Sequence, residues 1–87
     1  MANKQKILIV DDDENIANLI SLYLTKECFD TMTVHDGQAA LTAFKDYNPN
    51  LVLLDIMLPD ISGLSICQSI RSKEYTYPVI MLSAKDG

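Results

Sequence analysis

The chain has 87 residues, of which 48% are apolar and 22% are charged, and its formal net charge is −5. This length and composition predict a single small globular domain and exclude a disordered segment. The negative charge argues against direct binding of nucleic acid or of an anionic membrane by these residues. No apolar run approaches the roughly 20 residues that span a bilayer, and the polar first residues contain no secretion signal, so the expected location is cytoplasmic.

The first predicted strand is the apolar run 6–10, whose β-branched residues favour a buried strand. Four consecutive acids, residues 11–14, follow it and suit the positive end of a helix dipole. A helix is predicted next, ending near Glu27, because apolar residues recur at helical spacing. Its predicted apolar face comprises Ile16, Leu19, Ile20, Tyr23 and Leu24.

A short second strand near a sheet edge is predicted over residues 31–34, where Met32 and Val34 alternate with threonines. Asp36 is expected to cap a second helix, which the proline-containing segment 48–50 ends. The predicted buried side of that helix comprises Ala40, Leu41 and Phe44.

The apolar run 51–54 ends in Asp55 and is typical of a central strand that is buried on both faces. Asp55 then lies at the carboxyl end of a parallel strand, where open α/β sheets place their ligand crevices. Ser62 is the predicted N-cap of a third helix, and the run 79–82 is predicted to be another buried strand. The apolar contacts of the third helix are assigned to Leu64, Ile66, Cys67 and Ile70.

The order β-α-β-α-β-α-β predicts an open, doubly wound parallel sheet of the α/β class. The carboxyl ends of all its strands share one edge, so Asp11, Asp12, Asp55 and Ser83 are expected to meet there. Neighbouring carboxylates repel one another unless they bind protons or a cation, and several carboxylates with room for water suit Mg²⁺. The alternative is that the acidic run 11–14 only caps a helix.

Three segments carry a family resemblance: Val10–Asp13, Leu54–Pro59 with Gly63 downstream, and Met81–Ala84. In their order, spacing and position at strand ends they resemble the receiver domain of two-component response regulators. The resemblance extends from Lys6 to the end of the sequence, and three motifs in register make it specific.

The resemblance implies a role for each acid of the site. Asp55 would be the phosphoacceptor that attacks the phosphorus of a phosphohistidine. Asp12 would be a direct Mg²⁺ ligand, and Asp11 an acid that acts largely through water. Met57 would offer its backbone carbonyl to the metal.

The resemblance also implies that Ser83 and Ala84 bind the phosphoryl group, through the Ser83 hydroxyl and the Ala84 backbone N–H. Taken alone, Ser83 is better interpreted as an ordinary hydroxyl at a strand end. Lys85 and Met57 flank the site at positions where family members tune how fast water removes the phosphoryl group.

Three further residues that could carry chemistry are assigned no functional role. His35 is a single imidazole beside a turn and is expected to be exposed to solvent. Cys28 and Cys67 share no metal-ligand spacing and are expected to be reduced thiols. Cys28 occupies a helix end where glycine would be the easier residue.

The sequence departs from the family's pattern at its end. Receiver domains continue with another helix, a fifth strand that ends in a lysine of the site, and a final helix; Lys85 is too close to Ser83 to be that lysine. Residues 1–87 are therefore expected to be the N-terminal part of a receiver domain, with an incomplete flavodoxin-like sheet. An unpaired apolar fourth strand predicts that this segment alone is poorly stable or self-associates, with exchange of a strand or larger element as one route. Without the lysine of the fifth strand, phosphorylation of the segment is expected to be slow or absent.

The resemblance implies a phosphorylation-dependent signalling switch rather than an enzyme, with a histidine kinase as its partner. The run 55–59 is similar to receivers joined to winged-helix DNA-binding domains, so the parent protein is expected to regulate transcription through a domain outside these residues. Two alternatives stay open. One is an Mg²⁺-dependent phosphohydrolase with Asp55 as nucleophile, although Met57 stands where many such enzymes keep a second acid. The other is a degenerate receiver that only dimerises.

Overall fold

A computed structural model of the chain describes residues 4–56, 58–73 and 79–82, with the backbone alone at residues 71–73, 81 and 82. Strands and helices alternate along it: β1 Lys6–Val10, α1 Glu14–Lys26, β2 Asp30–Val34, α2 Gly37–Tyr47, β3 Leu51–Asp55, α3 Gly63–Lys73 and β4 Val79–Leu82. The predicted order of elements and the α/β class are confirmed. In this part of the chain, no helix is long and apolar enough to cross a membrane.

The strands form one parallel sheet in the order β2-β1-β3-β4. The run 51–55 is therefore a central strand and the run 30–34 an edge strand, as predicted. The register aligns the carboxyl ends of the strands, because Val10 pairs with Val34 on one side and with Leu54 on the other. Asp55 in turn pairs with Leu82. One edge of the sheet thus collects the residues that follow β1 and end β3.

Helices cover both faces of the sheet, which confirms the doubly wound architecture. Residues 7–10 of β1 are buried, and their side chains alternate between the two faces. On one face α2 and α3 pack against the sheet, and on the other α1 does. The buried hydrophobic cluster on the α2 and α3 face contains Leu8, Val10, Ala40, Ala43, Val52, Leu54, Ile66 and Ile70. The buried hydrophobic cluster on the α1 face contains Ile7, Ile9 and Ala17, with Ile20, Leu24, Phe29, Leu51 and Leu53 packed against it.

The predicted apolar face of α1 is wrong in part. Ile16, Leu19 and Tyr23 are 45%, 68% and 64% exposed, while Ala17 is fully buried and Ile20 and Leu24 pack beside it. These three inward residues are also helically spaced, since i, i+3 and i+7 define a face that overlaps the predicted one. The small Ala17 side chain allows the helix axis to approach the strands closely, and this sets the rotation of the helix.

Two other burial predictions are wrong. Leu64 of α3 is 58% exposed, although Ile66 and Ile70 are buried as expected. Ile80 of β4 is 50% exposed, so β4 is not buried on both faces. Ile80 pairs with Leu53 on the α1 side of the sheet, and α1 packs on β1 and β2 at the other side of that face.

Local backbone chemistry explains where the helices end. Asp13 caps α1 by accepting hydrogen bonds from the backbone N–H of Asn15 and Ile16, and Cys28 beyond the helix has a left-handed φ of 71°. Glycine would adopt that φ more easily, as the sequence indicated. Asn48 ends α2 in the same left-handed region, at φ 53°.

The N-terminus of α2 is capped by two carboxylates. Asp36 accepts a hydrogen bond from the Ala39 N–H at 2.7 Å, as predicted. Asp60, from the loop between β3 and α3, accepts from the Gly37 N–H at 2.7 Å and from the Gln38 N–H at 3.0 Å. We call these last two hydrogen bonds the Asp60 bridge. Together the two acids satisfy the first three N–H groups of the helix, which have no partner within it.

Gly63 lies where two backbone segments approach closely. Its N–H donates to the Ile56 carbonyl at 2.9 Å, and a Cβ at this position would lie 2.5 Å from the Asp55 carbonyl oxygen. Gly37 also lacks room, but there the nearest atoms belong to the side chains of Ile61 and Ile66, at 2.8 and 3.0 Å. Both glycines therefore allow the β3–α3 loop to lie close to its neighbours. At Gly63 the atoms that a side chain would displace belong to the backbone.

We expect Gly63→Ala to lower the free energy of unfolding by about 1–3 kcal/mol, because the new methyl group displaces the backbone of Asp55 and Ile56. Gly37→Ala is the matched control and should cost less, since its closest contact would be 2.8 Å to the Ile61 Cβ rather than 2.5 Å to a backbone oxygen, and alanine gains up to about 1 kcal/mol of helix propensity. Urea unfolding of both variants tests this. A larger loss for Gly37→Ala would contradict it.

The Asp60 bridge predicts a dependence of stability on pH. The Gly37 N–H, followed by that of Gln38, lowers the pKa of Asp60 below its ordinary value of 3.8. The stabilisation is therefore complete above that value and is lost as the pH falls through the lower pKa of the folded state. The urea midpoint of wild type should exceed that of Asp60→Asn at neutral pH, with a difference that narrows below 3.8. A difference that stays constant throughout would argue against the bridge.

Candidate functional site

The carboxyl ends of β1 and β3 bring three acids together. Asp11 and Asp12 directly follow β1, and Asp55 is the last residue of β3. One carboxylate oxygen from each lies within 4.8 Å of the other two. The structure thus places residues that are 43 and 44 positions apart in the sequence (55 − 12 and 55 − 11) in one cluster, which we call the acidic cluster.

The three acids differ in burial. Asp11 and Asp55 are 6% and 2% exposed, whereas Asp12 is open to solvent. Burial raises the pKa of Asp11, and the negative charges of Asp55, Asp12 and Asp13 add to the effect. A hydrogen bond from the Asp13 N–H to Asp11 Oδ1, 2.9 Å long, opposes it without reversing it.

The raised pKa shows that a negative charge on Asp11 is costly in the fold. Since the folded state binds this proton more tightly than the unfolded chain does, the Asp11 contribution to stability falls as the pH rises above 3.8 through the raised pKa. A cation beside the cluster would offset the same cost. The ligand set of carboxylate oxygens is the one that hard divalent cations such as Mg²⁺ prefer. The acidic cluster therefore fits a divalent cation.

The backbone of Asp11 is fixed on both sides. Its N–H donates to the Val34 carbonyl at 3.1 Å, which extends the pairing of β1 with β2 by one residue. Its carbonyl lies 3.0 Å from His35 Nδ1, within hydrogen-bond distance. His35 is half-buried, so the expectation that it is solvent-exposed is wrong. The imidazole packs against the end of β1 because it binds this carbonyl.

An open cavity lies beside Asp12. Its volume is about 480 Å³, and its lining consists of Asp12 and of the β3–α3 loop, namely Ile56, Leu58, Pro59, Asp60, Ile61 and Ser62. This loop directly follows Asp55. A hydrogen bond from the Gly63 N–H to the Ile56 carbonyl joins the residue after the loop to its first residue. Ser62 begins α3 by accepting from the Leu64 N–H at 3.1 Å, as predicted. The cavity leaves room for a small group beside Asp12.

Four residues named from the sequence, Met57, Ser83, Ala84 and Lys85, lie outside the described residues. Their assigned roles stay predictions. Leu82 is the last described residue of β4 and pairs with Asp55.

Two residues near the site were not anticipated. The sequence pattern predicts no role for either His35 or Asp60. A carboxylate after Pro59 is an ordinary loop residue by sequence alone, because its partners in α2 lie 22 and 23 positions earlier. The available signal in the sequence is the acid itself, since a carboxylate from another element can cap any helix N-terminus that it reaches.

Comparison with known proteins identifies the family. The family model described as "Response regulator receiver domain" matches residues 7–87. The DNA-binding response regulator MtrA of Mycolicibacterium smegmatis is 44% identical over 82 residues, which are 94% of this chain and 36% of that protein. The regulatory protein VanR of Enterococcus faecium is 49% identical over 81 residues, 93% of this chain and 35% of that protein. The chain thus spans about a third of the length of these relatives.

The fold comparison agrees. The crystal structure of the response regulator TrrA from Thermotoga maritima, in complex with Mg²⁺-BeF, superposes with a TM-score of 0.89 at 39% identity. The superposition covers 94% of this chain and 71% of that one. A TM-score of 0.89 over 94% of this chain shows a shared fold, so the flavodoxin-like fold expected from the sequence is confirmed. On the family match, the sequence identity and the fold together, the chain belongs to the response regulator receiver domain family.

Proposed function

We propose that Asp55 accepts a phosphoryl group from the phosphohistidine of a histidine kinase and that the chain is thereby a two-component signalling switch. The observation that carries this proposal is the acidic cluster, in which the buried Asp55 lies within 4.8 Å of the carboxylates of Asp11 and Asp12. A carboxylate at the end of a central strand is held rigidly, and its neighbours supply the ligands for a cation beside it.

The transfer forms one bond and breaks one. A carboxylate oxygen of Asp55 attacks the phosphorus, the bond from phosphorus to the donor imidazole nitrogen breaks, and an acyl phosphate results. The strand fixes the direction of attack, because Asp55 is paired on its backbone with Leu82 and follows the buried Leu54.

The ligands of Mg²⁺ in this proposal are the carboxylates of Asp12 and Asp55, Asp11 through water, and the backbone carbonyl of Met57. When bound, Mg²⁺ offsets the negative charge that the carboxylates and the transferred group would otherwise concentrate. The raised pKa of Asp11 is consistent with this assignment, since burial and, after it, the neighbouring carboxylates disfavour the negative charge that a cation would offset. Mg²⁺ is also bound, with BeF, in the related TrrA structure.

Two further assignments rest on the family pattern. We propose that the Ser83 hydroxyl and the Ala84 backbone N–H donate hydrogen bonds to the phosphoryl oxygens. Met57 and Lys85 flank Asp55 in the sequence motifs and are proposed to tune the rate at which water removes the phosphoryl group.

For the whole protein, we propose a cytoplasmic transcriptional regulator in which residues 1–87 are the N-terminal part of the receiver domain. Support comes from relatives such as MtrA, which is named as a DNA-binding response regulator and is matched over 36% of its length. DNA would be bound by a domain outside these residues, which fits the net charge of −5. Self-association of the segment stays a prediction. The family match favours the switch over a phosphohydrolase or a dimerisation module.

Replacement of the phosphoacceptor is the direct test. In the complete protein, we expect Asp55→Asn to abolish incorporation of phosphate from a small acyl phosphate donor, because the amide is not a nucleophile for phosphorus. Intact-mass analysis with and without the donor measures this. Asp46→Asn, an exposed acid on α2, is the control and should label like wild type. Unchanged labelling of Asp55→Asn would refute the proposal.

Metal binding can be tested separately. We expect Asp12→Asn to weaken Mg²⁺ binding by about 10-fold or more, since loss even of groups that only orient ligands costs about 10–100-fold. Asp12 is the suitable position because its side chain is exposed, so its loss should leave the core intact. Thermal unfolding with increasing MgCl₂ measures the effect: at a concentration about 100 times the Kd, wild type gains about 2.7 kcal/mol.

Sodium chloride at matched ionic strength is the control for that experiment, because screening alone also relieves repulsion between carboxylates. Equal stabilisation of wild type and Asp12→Asn by MgCl₂ would remove Asp12 from the metal site.

A further inference from the structure

We propose that Asp60 is a positioning residue for the acidic cluster: through the Asp60 bridge it fixes the described residues of the β3–α3 loop, 56 and 58–62, against the N-terminus of α2. The inference rests on the proposed function, because its consequence is a stronger Mg²⁺ site beside Asp55. No part of it requires Asp60 to touch the metal or the phosphoryl group.

The bridge connects distant parts of the chain. Asp60 Oδ1 accepts from the Gly37 N–H at 2.7 Å, and Oδ2 accepts from the Gln38 N–H at 3.0 Å. Oδ1 also accepts from the Ile61 N–H at 2.9 Å within the loop. The carboxylate is thus bound by three N–H groups, and this fixes its orientation although the residue itself is exposed. The negative charge also suits the positive end of the α2 dipole.

Packing beneath the bridge holds the loop at the same place. Gly37 is buried, and a Cβ there would lie 2.8 Å from the Cβ of Ile61 and 3.0 Å from Cδ1 of Ile66. The loop therefore lies so close to the first turn of α2 that a side chain at position 37 would have to displace Ile61 or Ile66. Hydrogen bonds and packing select the same position of the loop.

The loop reaches the site at its other end. Ile56 directly follows Asp55, and its carbonyl is held by the Gly63 N–H at 2.9 Å. Five of the loop residues, 58–62, line the cavity beside Asp12 together with Ile56. A loop released from α2 would be free to move between these points, and the backbone next to Asp55 would lose one of its supports.

A plain helix cap would not need Asp60. Asp36, the residue directly before the helix, already caps α2 by accepting a hydrogen bond from the Ala39 N–H at 2.7 Å. Asp36 therefore stabilises α2 without reaching the β3–α3 loop, while Asp60 does both. This difference makes Asp36 the matched control for Asp60.

The test compares Asp60→Ala and Asp36→Ala with wild type, in the complete protein. Both variants should unfold at lower urea concentration, because each removes a cap of α2. Only Asp60→Ala should raise the Kd for Mg²⁺ and the half-saturating Mg²⁺ concentration for labelling of Asp55, by about 10-fold, the lower end for outer groups that position ligands. Asp36→Ala should stay within about twofold of wild type, as expected for an independent site.

A second variant keeps the test decisive if Asp60→Ala does not fold. Asp60→Asn keeps the shape but has a single acceptor oxygen, so it should retain part of the bridge and give an intermediate Kd. Amide hydrogen exchange at Gly37 and Gln38 then reports the bridge itself, independently of any metal. Exchange should be faster in Asp60→Asn than in wild type.

The outcomes separate the two proposals. If wild type binds Mg²⁺ and labels Asp55, but Asp60→Ala and Asp36→Ala change the Kd equally or not at all, Asp60 is only a helix cap and the inference is overturned. Unchanged exchange at Gly37 and Gln38 in Asp60→Asn overturns it as well. If wild type neither binds Mg²⁺ nor labels Asp55, the proposed function fails, and the positioning role falls with it even where the exchange data show the bridge.

Discussion

The parallel register of β1 and β3 is the constraint on which the site depends. Val10 pairs with Leu54, so the residues after Val10 and the last residue of β3 leave the sheet at the same edge. A shift of this register by one residue would turn Asp55 to the opposite face. The register is held by side chains buried on both faces of β1 and by Val52 and Leu54 of β3, which are fully buried. Ordinary core packing thus brings the three carboxylates together.

The proximity of the three carboxylates lowers the stability of the folded state, and the effect is seen at Asp11. Asp11 is buried next to other acids, and its pKa is raised for both reasons. The fold tolerates this because neighbouring backbone groups hold the segment: Val34 and His35 bind the backbone of Asp11, and the Asp13 N–H binds its carboxylate. Because burial and repulsion make the negative charge of Asp11 unfavourable, a bound cation would offset that cost. A cation that binds only the folded state would also raise the free energy of unfolding, so stability and metal affinity are linked.

Much of this could be predicted from the sequence, because apolar runs mark buried parallel strands and such strands end at a common edge. The position of Asp55 followed from that rule alone. The rotation of α1 did not, since its pattern allows two overlapping faces and the small Ala17 decides between them. The half-burial of His35 depended on a contact with the carbonyl of Asp11, 24 positions earlier. Periodicity describes one element at a time and contains no information on such contacts between elements.

Asp60 shows what this difference means for function. Sequence motifs name the residues that touch the reacting groups, whereas the residues that hold those groups in place are bound through backbone N–H groups that any sequence offers. The first turn of α2 presents three such N–H groups, and two of them bind a carboxylate from the loop that begins directly after Asp55. A helix on one face of the sheet is thereby connected to the backbone at the end of its central strand. The position of that backbone then depends on α2 as well as on the strands, and any change that moves the loop must also break or shift the bonds at the helix terminus.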